Sequence, residues 1–520
     1  MAGPMPAAEQ PPLTGTALVL GTVALSLATF MNVLDSSIAN VSLPAIAGDL
    51  GVSPNQGTRV ITSFGVANAI SVPLTGWLTQ RFGAVRLFTL SVLLFVLTSW
   101  LCGFAPSLEW LIAFRDMQGL VAGPMIPLSQ TLLMSSYPRA KAGMALAMWS
   151  MTTLVAPVAG PLLGGWITDN VSWPWIFYIN IPVGLATAAA TWAIYRKRET
   201  PVKKLPIDTV GLALLVLWVG SLQLMLDKGK ELDWFHSTQI ILLAVTAVIS
   251  FAVFVIWELT DKHPVVDLRL FKGRNFALGT LTLAVAYGLF FGNVVLLPLW
   301  LQQYMGYTAT AAGMALAPVG LLAILLSPLV GRSVSRVDPR LLSTVAFLGF
   351  ALVLWLRSGF TPQADEWSIL WPTILQGAAV AFFFIPLMSI TMSGLPPERI
   401  AAASGLSNFA RITAGAFGTS IATTVWDDRA TLHHVHLVER LGNSGDAALA
   451  DASARLAAGG FSPEMIAAQL NRMIDQQAFT RAADDVFLAS AVLFILLIGL
   501  VWFARPSRAA GAPADAGGAH

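Results

Sequence analysis

Three ionisable residues interrupt long apolar stretches of this chain, and each needs a chemical reason to be there. Asp35 lies in Leu34-Asp35-Ser36-Ser37-Ile38-Ala39-Asn40-Val41, Arg115 in Arg115-Asp116-Met117-Gln118-Gly119, and Arg411 in the apolar run 402–425. A charge at the centre of a bilayer costs on the order of 3 kcal/mol or more. Desolvation raises the proton affinity of a carboxylate and a nearby guanidinium lowers it, so conformation can switch proton binding at a buried Asp. Asp35 therefore reads as a proton carrier, or as a helix-end Asp wetted by the outer surface. Arg115 reads as the partner that sets its proton affinity, or as a fastener of two helices through carbonyl hydrogen bonds. Arg411 is either a third member of this proton-coupling set or an arginine that snorkels or pairs with backbone.

These residues sit in a chain built for lipid. Of 520 residues, 56% are hydrophobic and 11% charged, with a mean hydropathy of +0.70, whereas soluble domains carry about 25% charged residues. A polytopic membrane protein follows. The net charge of +2 and the lack of a long basic tract give no reason to expect a nucleic-acid partner. Cys102 is the single cysteine, so neither a disulfide framework nor a cysteine metal cluster fits within one chain. No His-Glu-x-x-His, phosphate-binding glycine loop or acidic metal motif is present, which argues against an enzyme and against a metal or cofactor. His433, His434 and His436 read as part of a solvated loop. The first apolar stretch reads as an uncleaved span.

A bilayer core of about 30 Å needs roughly 20 apolar helical residues. About fourteen such windows occur, near 16–38, 56–76, 86–105, 109–133, 142–165, 174–195, 208–226, 239–258, 276–298, 311–331, 341–357, 368–391, 402–425 and 486–504. The loops on one side hold about 19 basic residues and the short loops opposite hold about four, which puts both termini in the cytoplasm.

An internal repeat organises these spans. Gln118-Gly119, Ile126-Pro127-Leu128 and Pro138 recur 258 residues later as Gln376-Gly377, Ile385-Pro386-Leu387 and Pro397, give or take one residue. Pro73, Gly76, Arg81 and Arg86 recur as Pro328, Gly331, Arg336 and Arg340. Each span maps onto the one eight later, so two six-helix halves flank an inserted pair. The expected fold is an all-α membrane protein of 14 transmembrane helices arranged 6+2+6. Its parts are an N-terminal bundle over 1–200, the inserted pair over 201–262, and a C-terminal bundle over 263–520 that includes a polar outer loop at 427–484. That loop reads as a cap or a docking surface, with helix-compatible runs such as 462–479.

The fifth span contains Pro157, Gly160, Pro161, Gly164 and Gly165. Small residues allow close backbone approach and proline allows a bend, which suits a helix at a moving seam as well as ordinary close packing. Gly76, Arg81 and Arg86 close the short loop between the second and third spans, where the arginines can meet acids or helix C-termini or act through topology alone. A midplane cavity between the halves should be apolar with a few polar groups. Asn32, Trp149, Tyr287, Phe291, Asn293, Phe383 and Met388 are its candidate lining, and flexible Met and flat aromatic surfaces favour broad selectivity.

At Leu34 to Pro44, Arg115 to Gly119 and Gly160 to Gly165 the chain resembles the major facilitator superfamily, and within it the 14-span drug:proton antiporters. The segments Trp173 to Pro182, Leu226 to Phe235 and Ser393 to Arg399 are similar to those of the inner-membrane subunits of EmrAB/TolC-type multidrug efflux systems. The resemblance implies a major facilitator fold and proton-driven export of hydrophobic or amphipathic toxic compounds by alternating access, with the proton gradient as energy source and no cofactor. It also implies a bacterial inner membrane location and hand-over to a periplasmic membrane-fusion adaptor and a TolC-like outer-membrane channel. A dedicated exporter of one metabolite or siderophore is the alternative. Gln80 stands where the family's motif usually carries an acid, which leaves Arg81 and Arg86 to find other partners.

Overall fold

Apolar sequence in a membrane must satisfy its backbone internally, and helix is what this chain forms throughout its described length. The computed structural model describes residues 11–505 except 53, 58, 139–140, 204–205, 335, 444–446 and 460. Arg139, Lys204 and Arg508 of the basic loops lie outside the described residues. In chain order the helices are α1 (Gly15–Asp49), α2 (Pro54–Gly57), α3 (Arg59–Ser71), α4 (Thr75–Phe82), α5 (Ala84–Gly103), α6 (Leu108–Ala122), α7 (Met125–Ser136), α8 (Ala142–Asn170), α9 (Trp175–Tyr178) and α10 (Asn180–Tyr195). There follow α11 (Thr209–Lys228), α12 (Thr238–Thr260), α13 (Arg274–Gln303), α14 (Ala309–Leu316), α15 (Pro318–Ser333), α16 (Pro339–Arg357), α17 (Glu366–Met392), α18 (Ile400–Asn443), α19 (Ala447–Ala458) and α20 (Pro463–Trp502). Among the described residues, 11 helices are long and apolar enough to cross a membrane. Helices also occupy the windows 109–133, 142–165 and 402–425.

Three predicted spans are broken, each beside a proline. Pro73 lies in a 3-10 turn between α3 and α4, Pro124 separates α6 from α7, and Pro318 opens α15 after α14. Proline removes a backbone donor and clashes with the preceding turn, so the helix yields there. In contrast, α8 is one continuous helix, and the side chains of Pro157 and Pro161 lie outside the described ones.

The segment 427–484, expected as a loop with helical runs, is almost entirely helix. The 44 residues of α18 and the 40 of α20 would reach roughly 66 and 60 Å, about twice a bilayer core. Their projecting ends are tied together. Arg429 and His433 both reach the Asp485 carboxylate, at 2.6 and 2.7 Å, and the Trp426 indole donates to the Phe479 carbonyl at 2.9 Å. Polar composition here reflects a wetted helical hairpin.

The halves meet at the end of the bundle that carries both described termini. There α18 lies so close to α4 that a Cβ at Gly76 would stand 2.6 Å from the Ala402 methyl. Gln130 on α7 accepts from the Ser404 hydroxyl at 2.5 Å and from the Asn408 amide at 3.1 Å. The loop between α4 and α5 is held from outside: the Glu199 carboxylate accepts from the backbone N–H groups of Val85 and Arg86, both at 2.9 Å. Gly83, at φ +87°, leaves room for that carboxylate. Arg86 meets Glu199 at 3.9 Å and Arg81 lies over the Trp77 ring.

Candidate functional site

Helix α1 carries Asp35 into the interior of the first half, where the carboxylate is fully buried. Helix α6 places Arg115 and Gln118 one turn apart on the face turned toward it. Arg115 Nη1 donates to Asp35 Oδ2 at 2.5 Å and to Gln118 Oε1 at 2.6 Å. Asp35 Oδ1 accepts from Gln118 Nε2 at 3.2 Å and from Asn180 Nδ2 at 2.9 Å. Gln118 and Asn180 both donate to Ser99 Oγ as well, and Cys102 lies 3.6 Å from Gln118 Oε1. The three side chains that hydrogen-bond the acid, Arg115, Gln118 and Asn180, all donate to it.

Close helix approach holds this ring in place. A Cβ at Gly119 would stand 2.5 Å from the Phe64 carbonyl, and one at Gly160 2.4 Å from the Ser37 hydroxyl. Gly164 meets Ile38 in the same way, so α8 lies against α1 directly beside Asp35, and it also packs on α15 of the other half. Gly165 follows on the same helix. Arg115 also donates from Nε to the Val60 carbonyl at 3.2 Å and lies 4.2 Å from the Phe64 ring centroid. Its Nη2 is left without an acceptor.

Beside the ring lies a central cavity of about 700 Å³ between the halves, which Phe64 and Arg115 both line. The cavity lies on the far side of the contact between Gln130, Ser404 and Asn408, and residues toward the opposite end of the bundle, Asn40, Thr62, Asp227 and Lys230, continue its walls. Of the predicted lining, Asn32, Tyr287 and Phe291 face it. Trp149, Asn293, Phe383 and Met388 do not: all four are buried in packing within their own halves. Trp149 donates to Ser129, Asn293 to Ser490, and Phe383 stacks among Phe347, Phe350 and Phe384. Sequence reasoning missed Phe64, Phe290 and Phe384, and it missed helix α11, which brings Gln223, Leu226 and Asp227 to the wall.

Arg411 is not gathered into the Asp35 ring. It lines the cavity, 4.7 Å from the Tyr287 ring centroid, and donates from Nη2 to Asn408 Oδ1 at 3.0 Å. No carboxylate pairs with it among the described residues. Asn408 in turn donates to Gln130, so a short chain of hydrogen bonds joins a cation in the cavity to the contact between halves.

The second half holds a counterpart built differently. Gln376 and Thr373 stand 258 residues after Gln118 and Arg115, and Asn293 stands 258 after Asp35. The buried guanidinium comes instead from Arg357 at the end of α16, whose Nη2 donates to Gln376 Oε1 at 2.7 Å and to Thr373 Oγ1 at 3.1 Å. Its Nε and Nη1 have no partner, and neither does Asn293 Oδ1.

Comparison with known proteins agrees with this architecture. A family model described as the Major Facilitator Superfamily matches residues 25–419. The chain is 53% identical over 513 residues to the multidrug export protein EmrB of Escherichia coli (strain K12), covering 98% of this chain and 100% of that one. It is 49% identical over 512 residues to the fatty acid resistance protein FarB of Neisseria gonorrhoeae, again covering 98% and 100%. Among solved structures, the proton:xylose symporter XylE superposes with a TM-score of 0.60 at 14% identity, covering 95% of this chain and 97% of that one, a likeness of fold.

Proposed function

The chain belongs to the Major Facilitator Superfamily, and from that premise we propose that it is a proton-driven multidrug efflux antiporter of 14 spans arranged 6+2+6. It exports hydrophobic or amphipathic compounds by alternating access. The names of its relatives support the cargo class, and the buried Asp35–Arg115 pair at the cavity wall carries the proton coupling. With both termini in the cytoplasm, as the basic loops favour, the contact between Gln130, Ser404 and Asn408 is a cytoplasmic seal and the cavity faces outward.

In this state Asp35 is the anion that neutralises Arg115. A proton taken up from the outer side at Asp35 removes that charge and leaves a buried guanidinium uncompensated, a change worth several kcal/mol against the present packing. Protonation therefore favours the state in which the helices holding Asp35, Gln118 and Asn180 have moved. Release of the proton toward the cytoplasm restores the pair. Cargo enters the inward-facing cavity and leaves from the outward-facing one, and Arg411 offers it a cation among aromatic rings. One proton moving down 100 mV supplies about 2.3 kcal/mol, enough for roughly fifty-fold accumulation of a neutral compound.

The protein belongs in a bacterial inner membrane, where the α18–α20 hairpin is the docking face for a periplasmic adaptor that leads to a TolC-like channel. Shortening the hairpin should impair whole-cell resistance while sparing transport in liposomes; loss of both would count against this role. Antiport itself is tested by loading liposomes with purified protein and a fluorescent drug. Accumulation should require an imposed proton gradient and stop when an ionophore collapses it. Accumulation that persists without the gradient would refute the reading.

A further inference from the structure

Arg411 stands where the central cavity meets the contact that closes the cytoplasmic end. It lines the cavity, with its guanidinium 4.7 and 5.9 Å from the Tyr287 and Phe384 ring centroids. The residue keeps 5% of its surface exposed, and its three nitrogens differ. Nε is buried without a partner and Nη2 donates to Asn408 Oδ1 at 3.0 Å. Nη1 has no acceptor among the described residues and is not buried, so it is the nitrogen that a molecule in the cavity can reach. Asn408, one turn earlier on α18, is fully buried. Its Nδ2 donates to the Ser404 carbonyl at 2.9 Å and, across the halves, to Gln130 Oε1 at 3.1 Å.

Those two acceptors fix which way the Asn408 amide points. Turned over, it would set its oxygen against the oxygens of Gln130 and Ser404, so the closed seal presents Oδ1 to Arg411. The cation in turn polarises the amide and strengthens its bond to Gln130. Opening the cytoplasmic end withdraws Gln130, which belongs to α7 of the first half, and leaves Asn408 tied only to its own helix. Arg411 is then held less firmly. A carboxylate takes a guanidinium best through two parallel N–H bonds. With Nε buried, that fork is Nη1 together with Nη2, the nitrogen that Asn408 holds. An acidic group in the cavity and the Asn408 amide therefore draw on the same cation, and the seal decides how tightly Asn408 holds it.

We propose that cargo and the cytoplasmic seal compete for Arg411, so that closing the seal through Gln130 and Asn408 weakens the central cavity's grip on a cargo's acidic group. This rests on the export reading, in which cargo is taken up with the seal open and released with it closed. The probes are 4-benzoylbenzoate, an acid with a photoreactive ketone, and 4-(hydroxymethyl)benzophenone, which carries an alcohol in place of the acid. Irradiating the full-length protein in lipid nanodiscs should label the α13 peptide with Tyr287. Each probe is compared with itself across variants, so partition into lipid cancels. Asn408→Ala frees Arg411 and should lower the acid's half-saturating concentration about three- to ten-fold, with the alcohol's changed less than about two-fold. Asn408→Asp gives Arg411 a charged competitor and should raise the acid's by at least about ten-fold. Neither variant can donate to Gln130, so an affinity that merely followed opening of the seal would rise in both. In the wild-type protein, saturating acid should shift spin-label distances across the cytoplasmic end toward the open population, and the alcohol should do so several-fold less. Asn408→Ala should erase that difference. Tighter binding of the acid to the Asn408→Asp protein, equal shifts by acid and alcohol in the wild type, or no label at Tyr287 from either probe would overturn the proposal, and the last two outcomes need no variant to fold. Neither readout requires a proton gradient, so competition found in protein that fails to pump would fault the antiport reading and leave this role of Arg411 standing.

Discussion

The two halves each bury an arginine beside a glutamine related by the repeat, yet among the described residues only the first half gives that arginine an acid. Around Arg115 the charge is closed by Asp35, with Gln118, Asn180 and Ser99 completing the ring. Around Arg357 there are Thr373 and Gln376, and the position where the repeat would put a second aspartate holds an amide, Asn293, bonded to Leu289 and Ser490. The repeat therefore carries two buried polar centres, of which the first contains a carboxylic side chain and the second does not. In the antiport reading proposed above, coupling then resides in the first half, and the second supplies a buried charge.

The comparison can be broken at each centre. Arg115→Met leaves Asp35 buried without its counter-charge, which should destabilise the protein by about 3–5 kcal/mol, the usual result of removing one partner of a buried pair. Thermal unfolding in detergent should show it, together with loss of drug-stimulated proton flux. Arg357→Met removes a guanidinium that already lacks two partners. It should be neutral or stabilising, within roughly 1–2 kcal/mol, with flux changed less than about three-fold. A large loss in both variants would show that the halves are equivalent in kind.

The seal gives a smaller effect. Gln130→Ala removes the acceptor shared by Ser404 and Asn408 and should cost the closed state about 1–3 kcal/mol. Distances between spin labels across the cytoplasmic end should then shift toward the open population by about ten-fold; an unmoved distribution would rule the contact out as a seal.

The smallest effect separates two caps. Helix α5 begins under Glu199, a linker residue more than a hundred positions away, whereas α16 begins under its own N-cap, Asp338, which accepts from the Arg340 backbone at 2.9 Å. The Arg340 guanidinium holds the Asp338 carboxyl below the ordinary carboxylate range. Its contribution is thus fully present above the ordinary pKa of about 3.9 and is lost as pH falls through the lower folded value. Asp338→Asn should remove that acid-range dependence from unfolding curves and shift the midpoint at neutral pH by less than about 1 kcal/mol. A dependence that survives the substitution would assign it to another group.

Much of the first centre was legible in the sequence, because a charge inside an apolar run is conspicuous and Arg115 and Gln118 share a helix face. Ser99, Cys102 and Asn180 were not, since ordinary polar residues in three other helices meet only in the fold. The cavity lining was half legible for a related reason. A membrane helix is apolar on every side, so its sequence hides which face turns inward: Phe384 lines the cavity and its neighbour Phe383 does not. The 427–484 segment reads in sequence as a polar loop with helix-compatible runs, because polarity marks contact with water and a solvated helix is as polar as a loop. Prolines at 73, 124 and 318 signalled breaks, but those at 298, 372 and 386 lie inside unbroken helices, so packing decides which ones yield.

The most direct test of this asymmetry is drug-stimulated proton flux in liposomes containing Asp35→Asn protein, measured beside Arg357→Met. The neutral amide keeps the shape of the first centre and removes its exchangeable proton, so flux should fall at least about 100-fold in Asp35→Asn while Arg357→Met stays near wild type. Undiminished flux from the Asp35→Asn protein would contradict the account.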